Sequence, residues 1–273
     1  MTDADPFQPW LERWTLTPDG AAFSTKFGSR LMPVRAGGAA AMLKVAGHPE
    51  EENGGVLMAW WRGDGAARVL QIEGPAILLE RLSGERDLAT MARSGEDDAA
   101  TRVLCDTAMR LHAPRSGPPP ATLVPLDRWH DSLAQAAASR GGLFAEAWRV
   151  ARDLLAQPRE AVVLHGDLHH GNVLDGGPRG WLAIDPKGLI GERGFDYANL
   201  FRNPDAEIAL KPGRLARQAR IVAETAALEP GRLLAWVFTY AVLGAAWSLE
   251  GGHDADAAVG LQIAEIAKAE MAR

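Results

Sequence analysis

From Val162 to Asp185 the chain carries two apolar segments separated by a polar, glycine-containing loop. Val162-Val163-Leu164 is a β-branched run of the kind that forms a buried strand, and His165-Gly166-Asp167-Leu168-His169-His170-Gly171-Asn172 is the loop leaving it. Trp181 to Ile184 then reads as a second buried strand ending on Asp185. The expected unit is hairpin-like, with Asp167, Asn172 and Asp185 at its mouth. Polar side chains at such a mouth either cap turns, as Asp and Asn often do, or act on a ligand.

The intervals favour the ligand. Asn172 follows Asp167 by five residues and Asp185 follows Asn172 by thirteen, close to the arrangement in which a kinase's catalytic-loop Asp, loop Asn and later Asp work together. Phosphoryl transfer needs a carboxylate to orient an attacking hydroxyl and accept its proton, which suits Asp167. It also needs oxygen ligands to hold magnesium against the nucleotide's phosphates, which suits Asn172 and Asp185. Far upstream, Met42-Leu43-Lys44-Val45 sets a lysine between apolar residues of a predicted strand. That lysine is costly there unless it meets an anion, and in the kinase pattern it pairs the α- and β-phosphates. Read alone, it would equally serve as an edge protector.

These residues bring a family into view. His-Gly-Asp-Leu-His-His-Gly-Asn-Val-Leu at 165 to 174, Ala-Ile-Asp-Pro-Lys-Gly at 183 to 188, Phe195-Asp196-Tyr197-Ala198 and Phe201-Arg202-Asn203-Pro204 together resemble the aminoglycoside phosphotransferases. Within them, the Asp-Pro-Lys-Gly and Arg-Asn-Pro elements are most similar to the streptomycin 6-phosphotransferase and hydroxyurea phosphotransferase branch. The match is dense between about 160 and 205 and looser elsewhere. The resemblance implies an α+β, two-lobed protein-kinase-like fold. A small antiparallel-sheet lobe, residues 1–82, would bind the nucleotide, and a mainly helical lobe, residues 83–273, would carry catalysis and the acceptor. It implies ATP and Mg2+, Asp196 as a brace for the catalytic loop, and Glu51 as the ion-pair partner of Lys44. Glu50 and Glu52 are adjacent rivals for that pairing, and each of the three could be a first-turn acid. The hinge position implies backbone contact with the base at Glu80 and Leu82.

The rest of the chain is consistent with this layout. Phe7, Trp10, Leu11 and Trp14 are spaced as a short amphipathic helix that ends before a turn at Thr17-Pro18-Asp19-Gly20. Residues 21–27, 31–35, 40–45, 67–72 and 76–80 read as five strands, with one helix from Glu50 to Trp61 that Asn53-Gly54-Gly55 weakens. Lys26-Phe27-Gly28-Ser29 stands where a phosphate-covering loop would be, with Ser29 as its candidate contact, although the full glycine pattern is missing. Arg81-Leu82-Ser83-Gly84 is the place for a hinge. Helices are predicted over 98–112, 126–138 and 143–156, with His112 and His130 as packing or surface residues, and three more follow from Asp205 to Arg273.

His165 is expected to hold its loop by hydrogen bonds, His169 to face substrate or nucleotide, and Lys187 to reach a phosphate or pair with an acid such as Glu192. Asp196 could also simply cap a helix. No long segment separates Asp185 from Asp196, which argues for a small-molecule kinase over a regulated protein kinase.

Composition bounds the partners. A formal charge of -6 and a pI near 5.7 do not suggest nucleic acid or an anionic membrane as partner. Cys105 is the only cysteine, which excludes an internal disulfide framework. Ala235 to Leu249 is the longest apolar run and reads as a buried helix, short of the ~20 residues that span a bilayer. Met1 to Gln8 lacks the apolar core of a signal peptide, so a cytoplasmic, monomeric enzyme is expected. The acceptor would be a small cationic molecule, streptomycin at its 6-hydroxyl, or hydroxyurea, met by carboxylates among Asp205, Glu207, Glu224, Glu250, Asp254 and Asp256. Two other readings compete: a kinase for another small metabolite, and a zinc metallohydrolase using His165, Asp167, His169 and His170.

Overall fold

The computed structural model describes residues 5–25 and 28–273, and of Pro49 and Glu50 the backbone alone. Lys26 and Phe27 of the predicted phosphate-covering loop, Met1 to Ala4, and the side chain of Glu50 therefore lie outside the description.

The N-terminal part begins with helix α1 (Gln8–Arg13) and strands β1 (Leu16–Pro18), β2 (Phe23–Ser24), β3 (Arg30–Ala36) and β4 (Ala39–Val45). Helix α2 (Pro49–Trp61) and strands β5 (Val69–Glu73) and β6 (Ala76–Glu80) complete it. The six strands form one antiparallel sheet in the order β1-β3-β4-β6-β5, with β2 also on β3. The sheet has one strand more than expected, because the residues read as a turn at Thr17-Pro18 pair Leu16 to Pro18 with Ala36 to Val34. Pro18 is tolerated there because an edge strand needs no N–H on its outer side.

Alternation along β4 and β6 decides which side chains face the site. Ala41, Leu43, Ala76 and Leu78 pack under α1 with Phe7 and Val34. Ile77 and Leu79 turn to the other face, toward Leu57, Met58 and Trp61 of α2. Lys44 is in register between Leu31 and Ile77, so the period of two sends it to the same side as α2. Gly54 and Gly55 do not break α2; both are buried within its 13 residues.

The helical part comprises α3 (Leu88–Arg93), α4 (Asp97–His112), α5 (Leu126–Trp129), α6 (Asp131–Arg140) and α7 (Gly142–Ala156), with a two-residue strand β7 (Val124–Pro125) before α5. Strands β8 (Ala161–Leu164), β9 (Val173–Asp175), β10 (Trp181–Ala183) and β11 (Leu189–Glu192) follow, then α8 (Gly194–Ala198), a 3-10 helix at Asn199–Arg202, α9 (Ala206–Ala209), α10 (Arg214–Thr225), α11 (Pro230–Glu250) and α12 (Asp254–Met271). Here the expected hairpin is corrected. β8 pairs antiparallel with β11, and β9 with β10, so the polar loop joins two separate ribbons rather than capping one. Both apolar runs are short and lack a clean alternation, and such runs carry no mark of their partner.

Helix α11 is the axis of this part, packing against α12, α8, α7 and α6. By length and composition it could cross a membrane, yet most of its apolar stretch is buried inside the fold. Glu229 caps it, accepting from the N–H groups of Gly231 and Arg232 at 2.7 Å each. The two parts of the chain touch where Ala67 N–H donates to Ala183 O and Ala183 N–H to Gly65 O, both at 2.9 Å.

Candidate active site

The loop between β8 and β9 is built before its carboxylate is placed. Asp196, buried at the start of α8, accepts from the backbone N–H of Gly166 at 2.7 Å and of His165 at 2.8 Å, and meets His112 Nε2 at 2.8 Å. Burial opposes its charge, but His112, His165 and these N–H donors hold its carboxyl below the usual range. His165 accepts the Asp167 N–H on Nδ1 at 3.2 Å and lies 2.9 Å from Ile184 O through Nε2. A carbonyl can only accept, so Nε2 carries the proton, and burial keeps the ring neutral by lowering its pKa. The second loop is fastened to the first by Ile184 N–H to Asn172 O at 2.9 Å and Lys187 N–H to His165 O at 2.7 Å. Asp185 itself takes a left-handed backbone, φ 57°.

Two carboxylates thereby share one lysine. Lys187 Nζ lies 3.6 Å from Asp167 Oδ2 and 3.9 Å from Asp185 Oδ2. Lys44 pairs with Asp185 and lies 3.7 Å from Glu51. Burial disfavours the Asp185 charge, yet Lys44 and Lys187 hold its carboxyl low; burial likewise disfavours charged Lys187, and Asp167 with Asp185 raises its pKa nonetheless. Asn172 donates from Nδ2 to Asp167 O at 2.9 Å and to Oδ2 at 3.3 Å. Asn199 donates to the other oxygen, Oδ1, at 2.8 Å, so Asp167 is clamped at both oxygens while a quarter of its side chain stays exposed.

The other predicted residues take varied places. Lys44, Glu51, Asn172 and Asp185 line a cleft of roughly 330 Å3 between sheet and helices, whose apolar walls include Met42, Leu79, Leu174 and Ile184. Glu52 lines it as well. Ser29 is buried, and its hydroxyl binds the Glu51 carboxylate instead of opening to the cleft. Glu80 is held by Arg179 and by the Arg68 N–H at 2.7 Å, while Leu82 packs on the main core; neither lines the cleft. His169 Nε2 sits 3.9 Å from Asp167 Oδ1. Lys187 turns to the two aspartates and not to Glu192, which is taken by Arg232 and Trp236. Of the acceptor carboxylates, Asp205 caps α9 and pairs with Arg93 at 2.8 Å, and Glu250 accepts from Ser132 at 3.1 Å.

The zinc reading fails on geometry. His165 is engaged at both nitrogens, and His170 is buried beside Arg214 and Asp97. Among the described residues no three His, Cys, Asp or Glu side chains gather as a metal site.

Sequence reasoning passed over three contributors. His112, expected to be a packing or surface residue, braces Asp196. Asn199 sits inside the apolar run Tyr197 to Phe201, and a buried amide there is costly without a partner, which was a usable signal. Gly54 was taken for a helix weakness, but a Cβ on it would meet the Pro186 carbonyl oxygen at 2.2 Å.

A family model described as aminoglycoside/hydroxyurea antibiotic resistance kinase matches residues 13–252. The chain belongs to this family. It is 55% identical to a streptomycin 3''-kinase of Klebsiella pneumoniae over 89% of this chain and 92% of that one. A streptomycin 6-kinase of Streptomyces griseus is 32% identical, covering 93% of this chain and 86% of the relative, and a hydroxyurea phosphotransferase of Kitasatospora aureofaciens is 32% identical, covering 96% and 76%. In fold the chain is similar to an aminoglycoside phosphotransferase solved with ADP and hygromycin B (TM-score 0.66, 15% identity, 96% and 97% covered). It is also similar to a choline/ethanolamine kinase family protein from Mesorhizobium loti (TM-score 0.67, 16% identity, 98% and 91% covered). The two-lobed, protein-kinase-like architecture and the phosphotransferase class expected from the motifs therefore hold.

The donor set of this kinase suits a hard cation. Asn172 spends its amide hydrogens on Asp167, which leaves its oxygen available, and Asp185 adds carboxylate oxygens. Magnesium is commonly bound through one or two such side chains with phosphates completing the shell.

Proposed function

We propose that this kinase transfers the γ-phosphate of ATP to the 3''-hydroxyl of streptomycin. The observation that carries the chemistry is the clamping of Asp167 between Asn172 and Asn199, beside Lys187, at the mouth of a cleft lined by Lys44 and Asp185. Asp167 orients the acceptor hydroxyl and takes its proton as the new P–O bond forms. Lys187 joins the Asp167 and Asp185 sides of that line, and Lys44 neutralises charge on the nucleotide's phosphates. Mg2+, held by Asn172 and Asp185, would supply charge neutralisation at the phosphates. Positioning and electrostatics are the main contributions in such reactions.

The acceptor position rests on kinship. The 6-hydroxyl was the expectation from the motifs, but the 3''-kinase shares 55% identity and the 6-kinase and hydroxyurea relatives 32%. We assign the nucleotide to the sheet lobe, residues 1–82, and the acceptor to residues 83–273, in a monomer acting in the cytoplasm.

The test is ADP release coupled to a reporter, with streptomycin, other aminoglycosides and hydroxyurea as acceptors, followed by phosphorus NMR of the product. Streptomycin-dependent ADP release and a phosphate at 3'' are expected. No release above the acceptor-free rate would overturn the kinase assignment for streptomycin, and a phosphate at the 6-position would overturn the regiochemistry alone.

A further inference from the structure

Lys44 pairs with Asp185, and Lys187 stands between Asp185 and Asp167. A third cation belongs to the element that holds Asp167. Asn199 and Arg202 are the first and last residues of the 3-10 helix, and side chains three apart on such a helix eclipse. Arg202 therefore rises over the same face as Asn199, which binds Asp167 Oδ1. Its guanidinium lies in a slot made by Gly244 of α11, where a Cβ would come within 1.5 Å of Nη1 and 2.4 Å of Cζ.

Arg202 is half-buried, and among the described residues its guanidinium makes no hydrogen bond and no ion pair. Two other arginines drawn into the fold are spent: buried Arg214 holds Asp97 at 2.7 and 2.9 Å, and half-buried Arg232 holds Glu192 at 2.6 Å. Five N–H donors kept partly from water without an acceptor are expensive unless an anion comes to them. Tyr240 sits four residues before Gly244, hence on the same face of α11. It is 3% exposed, its ring packs on Phe195 and Trp247, and its hydroxyl makes no hydrogen bond among the described residues. Burial and nearby Asp167 push that phenol well above its usual pKa while Arg202 opposes the shift. The hydroxyl thus stays protonated, a donor on the Gly244 face of α11.

We infer that Arg202, with the Tyr240 hydroxyl beside it, binds the oxygens of the phosphoryl group as it reaches the acceptor and retains them in the phosphorylated product. A cationic acceptor offers this unpaired guanidinium nothing but repulsion, whereas the transferred phosphoryl group brings anionic oxygens to the Asp167 side of the cleft. Arg forks match phosphate oxygens two at a time.

This inference rests on the kinase assignment above, and wild-type activity tests that assignment separately: a wild type that phosphorylates no aminoglycoside removes both. With an active wild type, Arg202→Gln is expected to lower kcat about a hundredfold, as loss of a transition-state donor does, with MgATP affinity unchanged. Phosphorylated streptomycin made by the wild type should bind Arg202→Gln roughly tenfold more weakly, the loss expected for a charged hydrogen bond, while unmodified streptomycin binds as before. Arg202→Lys, which keeps charge and stem, should recover part of kcat, and Tyr240→Phe should lose a smaller factor. A kcat within about threefold of wild type, or a defect confined to the KM for streptomycin with product affinity intact, would overturn the inference. Melting curves of Arg202→Lys and Tyr240→Phe separate either outcome from misfolding.

Discussion

Gly54 and Pro186 meet at a distance that admits no side chain: a Cβ on Gly54 would stand 2.2 Å from the Pro186 carbonyl oxygen. The contact presses α2 against the residue that follows Asp185, and Glu51, one turn earlier on the same helix, lies 3.7 Å from Lys44. A glycine in a helix interior costs about 1 kcal/mol against alanine, and here the close approach accounts for it. Gly54→Ala must move α2 or the Asp185 loop. Overpacking of this kind costs about 1–3 kcal/mol, and MgATP affinity should fall with it, read by denaturant melts and calorimetry. Gly55→Ala is the comparison, since its Cβ would meet the tip of Ile72, which can shift, at 2.9 Å; equal effects of the two would refute the coupling.

Asn199 holds one oxygen of Asp167 and is itself steadied by Asn203 Nδ2, 2.9 Å from its carbonyl oxygen. Asn199→Ala frees that oxygen to rotate, so kcat should drop by roughly tenfold to a hundredfold, the usual range for a misoriented base, with nucleotide binding kept. Asn199→Asp should be worse, because a second carboxylate would face Asp167. Steady-state kinetics decide, and unaltered turnover in Asn199→Ala would show that Asn172 alone suffices.

Asp167→Ala removes the group that takes the hydroxyl proton but leaves Asn172 and Asp185 in place. MgATP should bind normally while phosphate transfer falls to background. Measured turnover near the wild-type rate would reassign the base.

His170 is buried with both ring nitrogens unpartnered among the described residues, and burial with Arg214 nearby lowers its pKa to about 3. The unfolded chain takes up this proton below about pH 6.5, whereas the folded protein stays unprotonated there down to about pH 3. The unfolded state thus binds more protons across that window, and stability falls as the pH falls. From pH 7 to pH 5 one such histidine removes about 2 kcal/mol. His170→Leu should lose correspondingly less over that interval, measured by urea melts at the two pH values; parallel slopes for both proteins would show that the ring is not held neutral.

Local signals made the catalytic segment legible. Asp167, Asn172 and Asp185 lie within one strand-loop-strand stretch, so their spacing is written in consecutive residues, and the resemblance around them carried the fold. Lys44, set among apolar residues of a predicted strand, likewise signalled an anion partner. Strand pairing was not legible, because β8 chose β11 over β10 without any difference in periodicity to announce it.

The amino-acid sequence by itself determined which chemical groups this kinase owns and their order on the loops, since strand periods, glycine turns and loop carboxylates are properties of neighbouring residues. Only the tertiary structure decided what holds them. Asn199 on Asp167, His112 on Asp196, Gly54 under Pro186 and Arg202 over Gly244 join residues from different elements, most of them far apart in the chain. Such contacts arise from how buried helices and ribbons pack, and no local pattern encodes that packing.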